Sequence, residues 1–321
     1  MMTLEQLRGF VEVARTGHFT RAAERLHVAQ PSLSRQISTL EGVLGVDLFH
    51  RARGNISLTA AGEHLLPIAR RMLADAATAH AEMAELAGLA RGTARLGMTP
   101  TLGTSIVADA LAAYRERYPG IDIEVVERGS RTLIHDLSEG RLDLALVVTT
   151  VSSAPARAVL EREELLTERL VAVSSAAGPD PFAGAVTVPL ASLAAEPYVE
   201  LADDYDLRTA MDAAFDAADL RPRVAVTGAE MDAALAFAER GIGVTVVPAM
   251  VATGRPGLRT TRLSDPALTR TISLARRGDM QLTHAAAALR NLIREAAARA
   301  TAPGSPLEPF VAAAPARGST S

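Results

Sequence analysis

Residues 19–38, FTRAAERLHVAQPSLSRQIS, constrain this chain more than any other stretch, because they have the layout of two short helices joined by a tight turn. Thr20 is placed to cap the first helix, which would carry Ala22, Ala23 and Leu26 on one face and Arg21, Glu24 and Arg25 on the other. Pro31 has no backbone N–H to lose at the first position of a second helix, and its restricted φ already suits one. From there Leu33, Ile37, Leu40 and Leu44 recur at helical spacing, while Ser32, Ser34, Arg35 and Thr39 lie off that stripe. One face packs and the other is free. Its leading edge suits the major groove of DNA: Arg35 can donate bidentately to guanine, Gln30 to adenine, and the serines to bases or phosphates. A helical pair inside a larger α-helical domain would share the apolar spacing. It would not readily carry AQPSLSRQI with a basic stretch just after it.

The flanks fit the same reading. A helix over residues 4–15 gathers Leu4, Leu7, Phe10, Val11 and Ala14 on one side and ends at Gly17, closing a three-helix core. Past Gly45, VDLFHRARGNISLT reads as a turn and a short ribbon tipped by Gly54 and Asn55. Such a wing would bring Arg51 and Arg53 toward phosphates or the minor groove. Residues 60–89 then read as one long helix, with Gly62 and Pro67 in its first turns. Leu65, Ala69, Met72, Ala76, Ala79, Met83 and Leu86 alternate at four and three, the heptad spacing of a coiled-coil seam. No earlier helix in the sequence matches a seam of that length, so it predicts a homodimer, whose paired recognition helices would suit a two-fold symmetric operator. Its many alanines bury less area than leucines, so the seam alone holds a dimer weakly.

These residues also carry a resemblance. LEQLRGFVEVARTGHFTRAAERLHVAQPSLSRQISTLEGVLGVDLFHR resembles, nearly position for position, the amino-terminal winged helix-turn-helix of LysR-type transcriptional regulators. Gly42 departs from it, standing where the family usually has a charged or polar helix former, at a cost of about 1 kcal/mol relative to Ala.

Gly88 and Gly92, on either side of Arg91, predict a hinge, after which strands and helices alternate. Strands at 95–99, 121–127 and 142–148 with helices at 104–118 and 132–138 make a βαβαβ unit. After a turn at 152–155, strands are expected at 170–173, 198–201, 223–226 and 244–247, with helices at 207–218 and 231–240. A strand at 271–275 and a helix at 284–299 could return to the first unit. The result is two α/β lobes with a cleft between strand ends, where small ligands tend to lie. Residues beyond 302, rich in Pro, Ala, Gly and Ser, predict a disordered tail. GMTPTLGTSIVADALAAYRERYPGIDIEVVERGSRTLIHDLSEGRLDLALV and LAFAERGIGVTVVP resemble the effector domain of the same family, whose fold is similar to periplasmic type 2 binding proteins.

The expected architecture is therefore multidomain, α and α/β. It comprises a winged helix-turn-helix at 1–59, a linker and dimerisation helix at 60–90, a two-lobe effector domain at 91–300 and a tail at 301–321. Lobe I takes 91–150 and 266–300, and lobe II takes 156–265. The resemblance implies effector contacts from a hydroxyl after the first sensor strand and another after the second, here Thr101 with Thr99 beside it, and Ser130. A helix start after Gly103 would add free N–H groups and a positive dipole end, which suggests an anionic effector. Thr101 could equally be no more than that helix's cap. Asp203, Asp204 and Asp206 around Tyr205 read first as a solvated loop; bordering the cleft, they would oppose an anion.

Composition narrows the function classes. With 321 residues and 48% hydrophobic content there is room for two or three real cores. The absence of Cys removes disulfides, thiolate metal sites and cysteine nucleophiles, and fits a reducing cytoplasm. The scattered histidines offer no metal pair, the Gly129 to Arg131 run is no nucleophile elbow, and the glycines at 241 and 243 precede a strand, so neither catalysis nor a cofactor is expected. No signal peptide or membrane span is visible. Residues 1–58 hold seven Arg against five acids, +2 of a net −4, a mildly basic front on an acidic body. The expectation is a cytoplasmic, effector-responsive LysR-type regulator, activating or repressing, not an enzyme. Its partners would be double-stranded operator DNA, a small-molecule co-inducer, further copies of itself as homodimer or homotetramer, and RNA polymerase. The rivals are a solute-binding protein, which the helical front opposes, and an α/β enzyme, which the missing catalytic grouping opposes.

Overall fold

The computed structural model describes residues 1–52, 55–86, 92–150, 160–203, 205–264 and 268–314. The chain divides into two compact units, Met1–Arg91 with His135–Leu142, and Gly92–Ile134 with Asp143–Ser321.

In the first unit, α1 (Leu4–Thr16) opens on a reciprocal cap: Thr3 accepts from the Gln6 N–H, and the Gln6 side chain accepts from the Thr3 N–H at 2.9 Å. It closes on Gly17 at φ 67, and α2 (Phe19–Arg25) begins two residues later. His18 is therefore the cap residue, and Thr20, expected there, lies inside the first turn: one left-handed residue suffices to restart the helix. The turn onward passes through His27 at φ 54, a left-handed conformation for a non-glycine residue. The next helix, α3 (Gln30–Leu44), buries Leu33, Ile37 and Leu40 in a core shared with Leu7, Phe10 and Val13 of α1 and Ala22 and Ala23 of α2.

A two-stranded antiparallel ribbon follows, β1 (Phe49–Ala52) and β2 (Asn55–Leu58); its tip residues 53 and 54 lie outside the described residues. Phe49 seats it on the core, with its ring 5.4 Å from Phe10 and 6.0 Å from Phe19. Glu41, buried in α3, accepts the Leu48 N–H at 3.0 Å and ties the ribbon to that helix. The long helix α4 (Ala60–Leu86) starts under this joint, and Gly62 is needed there because a Cβ would stand 2.2 Å from the Leu48 carbonyl oxygen.

The α4 seam is not left wholly unmatched within the chain, as its spacing suggested. Ala69 is fully buried and Leu65 half-buried in the core that α1 helps to form, so the front of the seam packs on its own unit. Met72 and Met83 remain exposed, as does Ala79, with Ala76 half-buried; the Leu86 side chain and the hinge residues 87–91 lie outside the described residues.

Beginning in the second unit, β3 (Gly92–Met98), α5 (Pro100–Gly103), α6 (Ile106–Arg117), β4 (Ile121–Glu127), α7 (Ser130–Ser138, whose residues from His135 group with the first unit) and β5 (Leu144–Thr150) form the βαβαβ arrangement, with β3 parallel to both β4 and β5. A strand longer than expected follows, β6 (Leu160–Ser175). Its first half, LEREELLTER, is so charged that no apolar alternation shows in the sequence; charges such as Glu163, which pairs with Arg294 at 2.8 Å, lie toward the surface, while Glu168 turns inward and is fully buried. Then come β7 (Thr187–Val188), α8 (Leu190–Ala195), β8 (Pro197–Leu201), α9 (Asp206–Ala217), β9 (Arg223–Ala229), α10 (Met231–Glu239), β10 (Thr245–Pro248), α11 (Ala249–Ala252) and β11 (Leu258–Leu263). The chain ends with β12 (Thr269–Arg277), α12 (His284–Ala300) and β13 (Val311–Ala313).

The main sheet runs β4-β3-β5-β12-β6-β11-β7, with β10 and β13 also on β6, while β8 and β9 pair separately. Along β6, residues up to Arg169 pair with β12 and those from Leu170 with β10 and β11, so this strand passes from one lobe into the other. Each lobe keeps its own core, one around Leu96, Tyr114, Leu146, Ile272 and Leu289, the other around Val171, Val199, Leu235 and Val246. The disorder expected after residue 302 is corrected through Ala314. Val311 pairs opposite Glu168 of β6 and Phe310 packs on a core, apolar contacts that the Pro-rich composition obscured; 315–321 lie outside the described residues. No helix among the described residues is long and apolar enough to cross a membrane.

Two glycines give opposite expectations in urea unfolding of the full chain. Gly62→Ala drives a methyl into a backbone carbonyl and should destabilise by about 1–3 kcal/mol. Gly42→Ala, on an α3 position with open space around it, should stabilise by about 0.5–1 kcal/mol. A Gly62→Ala midpoint equal to the parent's would refute the close approach.

Candidate functional site

Two sites arise, one in each unit. The start of α3 leaves Gln30, Pro31, Ser32 and Arg35 exposed, with Ser34 half-buried, while Leu33, Ile37 and Leu40 are completely buried behind them. Among the described residues no hydrogen bond or ion pair engages the Arg35 guanidinium; only its carbonyl is used, accepting the Thr39 hydroxyl at 2.8 Å. An unpaired guanidinium beside small polar side chains on an open helix edge is chemically equipped to donate to base edges. Thr20 is exposed on α2. Arg51 stands opposite Ile56 in the ribbon, but its side chain, and all of Arg53, lie outside the described residues. Glu41, which holds the ribbon to α3, was missed in the sequence; its one signal is an acid directly following Leu40 on the packed stripe.

The second site is a cavity of about 190 Å³ within the second unit. Thr99, Pro100 and Thr101 reach it from the end of β3, Glu127 and Arg128 from the end of β4, Tyr205 and Asp206 from the start of α9, and Glu230 from before α10. Behind them lies a buried ion pair across the β12–β6 register, Arg270 opposite Glu168. Arg270 Nε donates to Glu168 Oε2 at 2.7 Å and Nη1 to Thr101 Oγ1 at 2.8 Å, while the Met250 N–H donates to Glu168 Oε1 at 2.6 Å. Arg270 Nη2 is also 2.7 Å from Glu168 Oε2, an ion-pair contact without the angle for a hydrogen bond.

This arrangement redistributes the expected effector residues. Thr101 lines the cavity, but its hydroxyl is committed to Arg270. Ser130 starts α7 and accepts the Val148 N–H at 3.0 Å, serving the fold. Thr99 lines the cavity, is buried, and its hydroxyl has no partner. The helix start anticipated after Gly103 is displaced: Pro100 opens a separate single turn, α5, and α6 begins at Ile106 only after Ser105 leaves helical geometry. The dipole argument for an anion therefore loses its helix end. The acidic loop divides, with Tyr205 and Asp206 on the cavity, Asp203 in solvent and residue 204 outside the described residues. Tyr205 donates its hydroxyl to Glu230 Oε2 at 2.8 Å, a link the sequence did not suggest. Among the described residues no group of three or more His, Asp or Glu is placed to hold a metal ion.

Residues 4–63 match the family of bacterial regulatory helix-turn-helix proteins, lysR family, and residues 87–298 match the LysR substrate binding domain. An uncharacterized HTH-type transcriptional regulator of Bacillus subtilis, YybE, is 32% identical over 275 residues, 85% of this chain and 92% of its own length. A probable hydrogen peroxide-inducible genes activator of Streptomyces viridosporus is 32% identical over 302 residues, 91% of this chain and 95% of its own. Among solved structures, CbnR, a LysR family transcriptional regulator, is 27% identical in its full-length complex with target DNA, covering 92% of this chain and 100% of that one, with a TM-score of 0.61.

The ion pair behind the cavity can be ranked against its neighbour by urea unfolding. Arg270→Ala strands the buried Glu168 carboxylate and should cost about 3–5 kcal/mol. Thr101→Val removes one neutral acceptor and should cost about 1–3 kcal/mol. A negligible loss for Arg270→Ala would contradict the pairing.

Proposed function

The chain belongs to the LysR family of transcriptional regulators, and we propose that it binds operator DNA through paired α3 helices under the control of a small molecule held in the second unit's cavity. LysR regulators bind DNA, carry an effector-binding domain and are not enzymes. The observation that carries the reading for this chain is the exposed edge of α3, with Ser32 and Arg35 open to solvent and an apolar stripe fixing the helix from behind. In this reading Arg35 and Gln30 take base edges, Ser32 and Ser34 take bases or phosphates, and Thr20, Arg51 and Arg53 add phosphate contacts. Pro31 fixes where the helix begins.

Self-association is proposed along the open part of α4, where Met72 and Met83 lie exposed and cost free energy in water unless a second copy covers them. A dimer, or a tetramer built from two, would present its α3 helices to the half-sites of a two-fold symmetric operator. The effector is proposed to act by binding one arrangement of the assembly better than another, since equal affinity shifts nothing. Thr99 and Thr101 contribute to its site directly, and Ser130 by holding the strand beside it. No cofactor is invoked, and RNA polymerase is the partner such a complex would meet at a promoter. The cytoplasm is the proposed compartment. Two relatives are probable hydrogen peroxide-inducible genes activators. Reversible thiol oxidation is closed to this chain, which has no cysteine, so a bound small molecule is the better candidate signal.

Gel-shift titration against the DNA upstream of the chain's own reading frame tests the assignment. Arg35→Ala should weaken specific binding by about 1–3 kcal/mol and relax base preference, whereas Arg51→Ala should weaken specific and nonspecific DNA alike. Equal effects of the two substitutions on both kinds of DNA would overturn these roles.

A further inference from the structure

We propose that the cavity of the second unit takes an effector bearing a protonated nitrogen, an alkylammonium or amidinium group on a short apolar stem. The inference rests on the reading of that cavity as the effector site. It begins with the charges on the lining: Glu127, Asp206 and Glu230 are acidic, Arg128 and Arg270 basic. Arg270 is neutralised by Glu168 and further engaged by Thr101. Arg128 turns Nη1 back to the Glu127 carbonyl at 2.7 Å. An adjoining recess that shares Glu127, Tyr205 and Glu230 adds Asp232, which pairs with Arg255 at 3.2 Å. Three carboxylates thus face one uncompensated guanidinium.

Hydrogen-bonding capacity points the same way. An ionised carboxylate only accepts, so its complement must donate. Among the described residues no partner engages the Glu127 or Asp206 carboxylate, and Glu230 receives the Tyr205 hydroxyl on one oxygen. The independent sign that a ligand belongs here is Thr99: it lines the same cavity at 7% exposure, and its hydroxyl has no partner. A buried hydroxyl left so costs free energy, which a turn of the Thr99 side chain toward a bound polar group would recover. Among the described residues the acids do not form a metal-holding group, so the complement argued for is an organic cation. Pro100, Val148 and Leu207 supply apolar wall for its stem.

The test uses the full-length protein at low ionic strength, because exposed carboxylates are screened by salt. Probes matched in size are n-butylamine, 1,4-diaminobutane and butylguanidine against butyrate, succinate and 1-butanol, followed by calorimetry and thermal shift. The expected result is binding of the amine or guanidine probes alone, weakened at least tenfold by Glu127→Gln and by Asp206→Arg, both on exposed positions. Thr99→Val should weaken any cavity ligand regardless of its charge. Butyrate or succinate binding that Thr99→Val weakens would overturn the cationic assignment and leave the cavity reading standing. Amine binding indifferent to Glu127→Gln, Asp206→Arg and Thr99→Val would place the ligand elsewhere and sink both. Failure of all three nitrogen probes at millimolar concentration would also overturn the cationic assignment.

Discussion

The pairing of Arg270 with Glu168 is the interaction on which the second unit most depends. Two charges inside an apolar sheet are tolerable only when each satisfies the other and the remaining polar atoms find partners. Here the two residues face one another across β12 and β6, Thr101 takes one guanidinium N–H, and the Met250 amide takes the spare carboxylate oxygen. Glu168 sits just before the point where β6 exchanges its β12 partner for β10 and β11. The same network therefore ties the two lobes at their crossing and fixes the wall of the cavity between the strand ends. A hydrophobic pair would offer no hydrogen bond to the Thr101 hydroxyl and so could not hold that loop at a set angle.

The first unit solves a different problem with the same economy of parts. A reading helix must be rigid yet present its polar edge to solvent, so all of its fixation comes from behind. Leu33, Ile37 and Leu40 supply the packing, and Glu41 extends it by accepting the Leu48 N–H, so that a buried hydrogen bond joins ribbon and helix. Gly9 and Gly62 admit close approaches, the first to the Leu33 side chain and the second to the Leu48 carbonyl. Small residues here are determined by distance and not by flexibility.

The cavity shows that a hydroxyl at an expected position need not be free to meet a ligand. Hydroxyls stand after the first and second sensor strands, yet two of the three are spent inside the protein, Thr101 on Arg270 and Ser130 on the Val148 amide. The cavity also carries carboxylates from separate elements, Glu127 at the end of β4, Asp206 at the start of α9 and Glu230 before α10. The acidic side chains that line the cavity thus come from residues far apart in sequence.

Much was determined by the sequence alone. The helix-turn-helix, the ribbon, the long α4, the first βαβαβ unit and the family were all legible, because local periodicity, Gly and Pro positions and the AQPSLSRQI run are local signals. The exposed identity of Ser32 and Arg35 followed from the apolar stripe opposite them. What only the tertiary structure decided was pairing over distance. The charged half of β6 becomes a strand because β12 and outward ion pairs receive it, and β13 is ordered by an edge of β6 more than a hundred residues earlier. Thr20 lost its capping role to a one-residue turn, and the front of the α4 seam found α1. Hydrogen-bond and charge partners separated by scores of residues leave no period in the sequence, so Glu168, Arg270 and the acidic cavity wall emerged only when the strands were laid side by side.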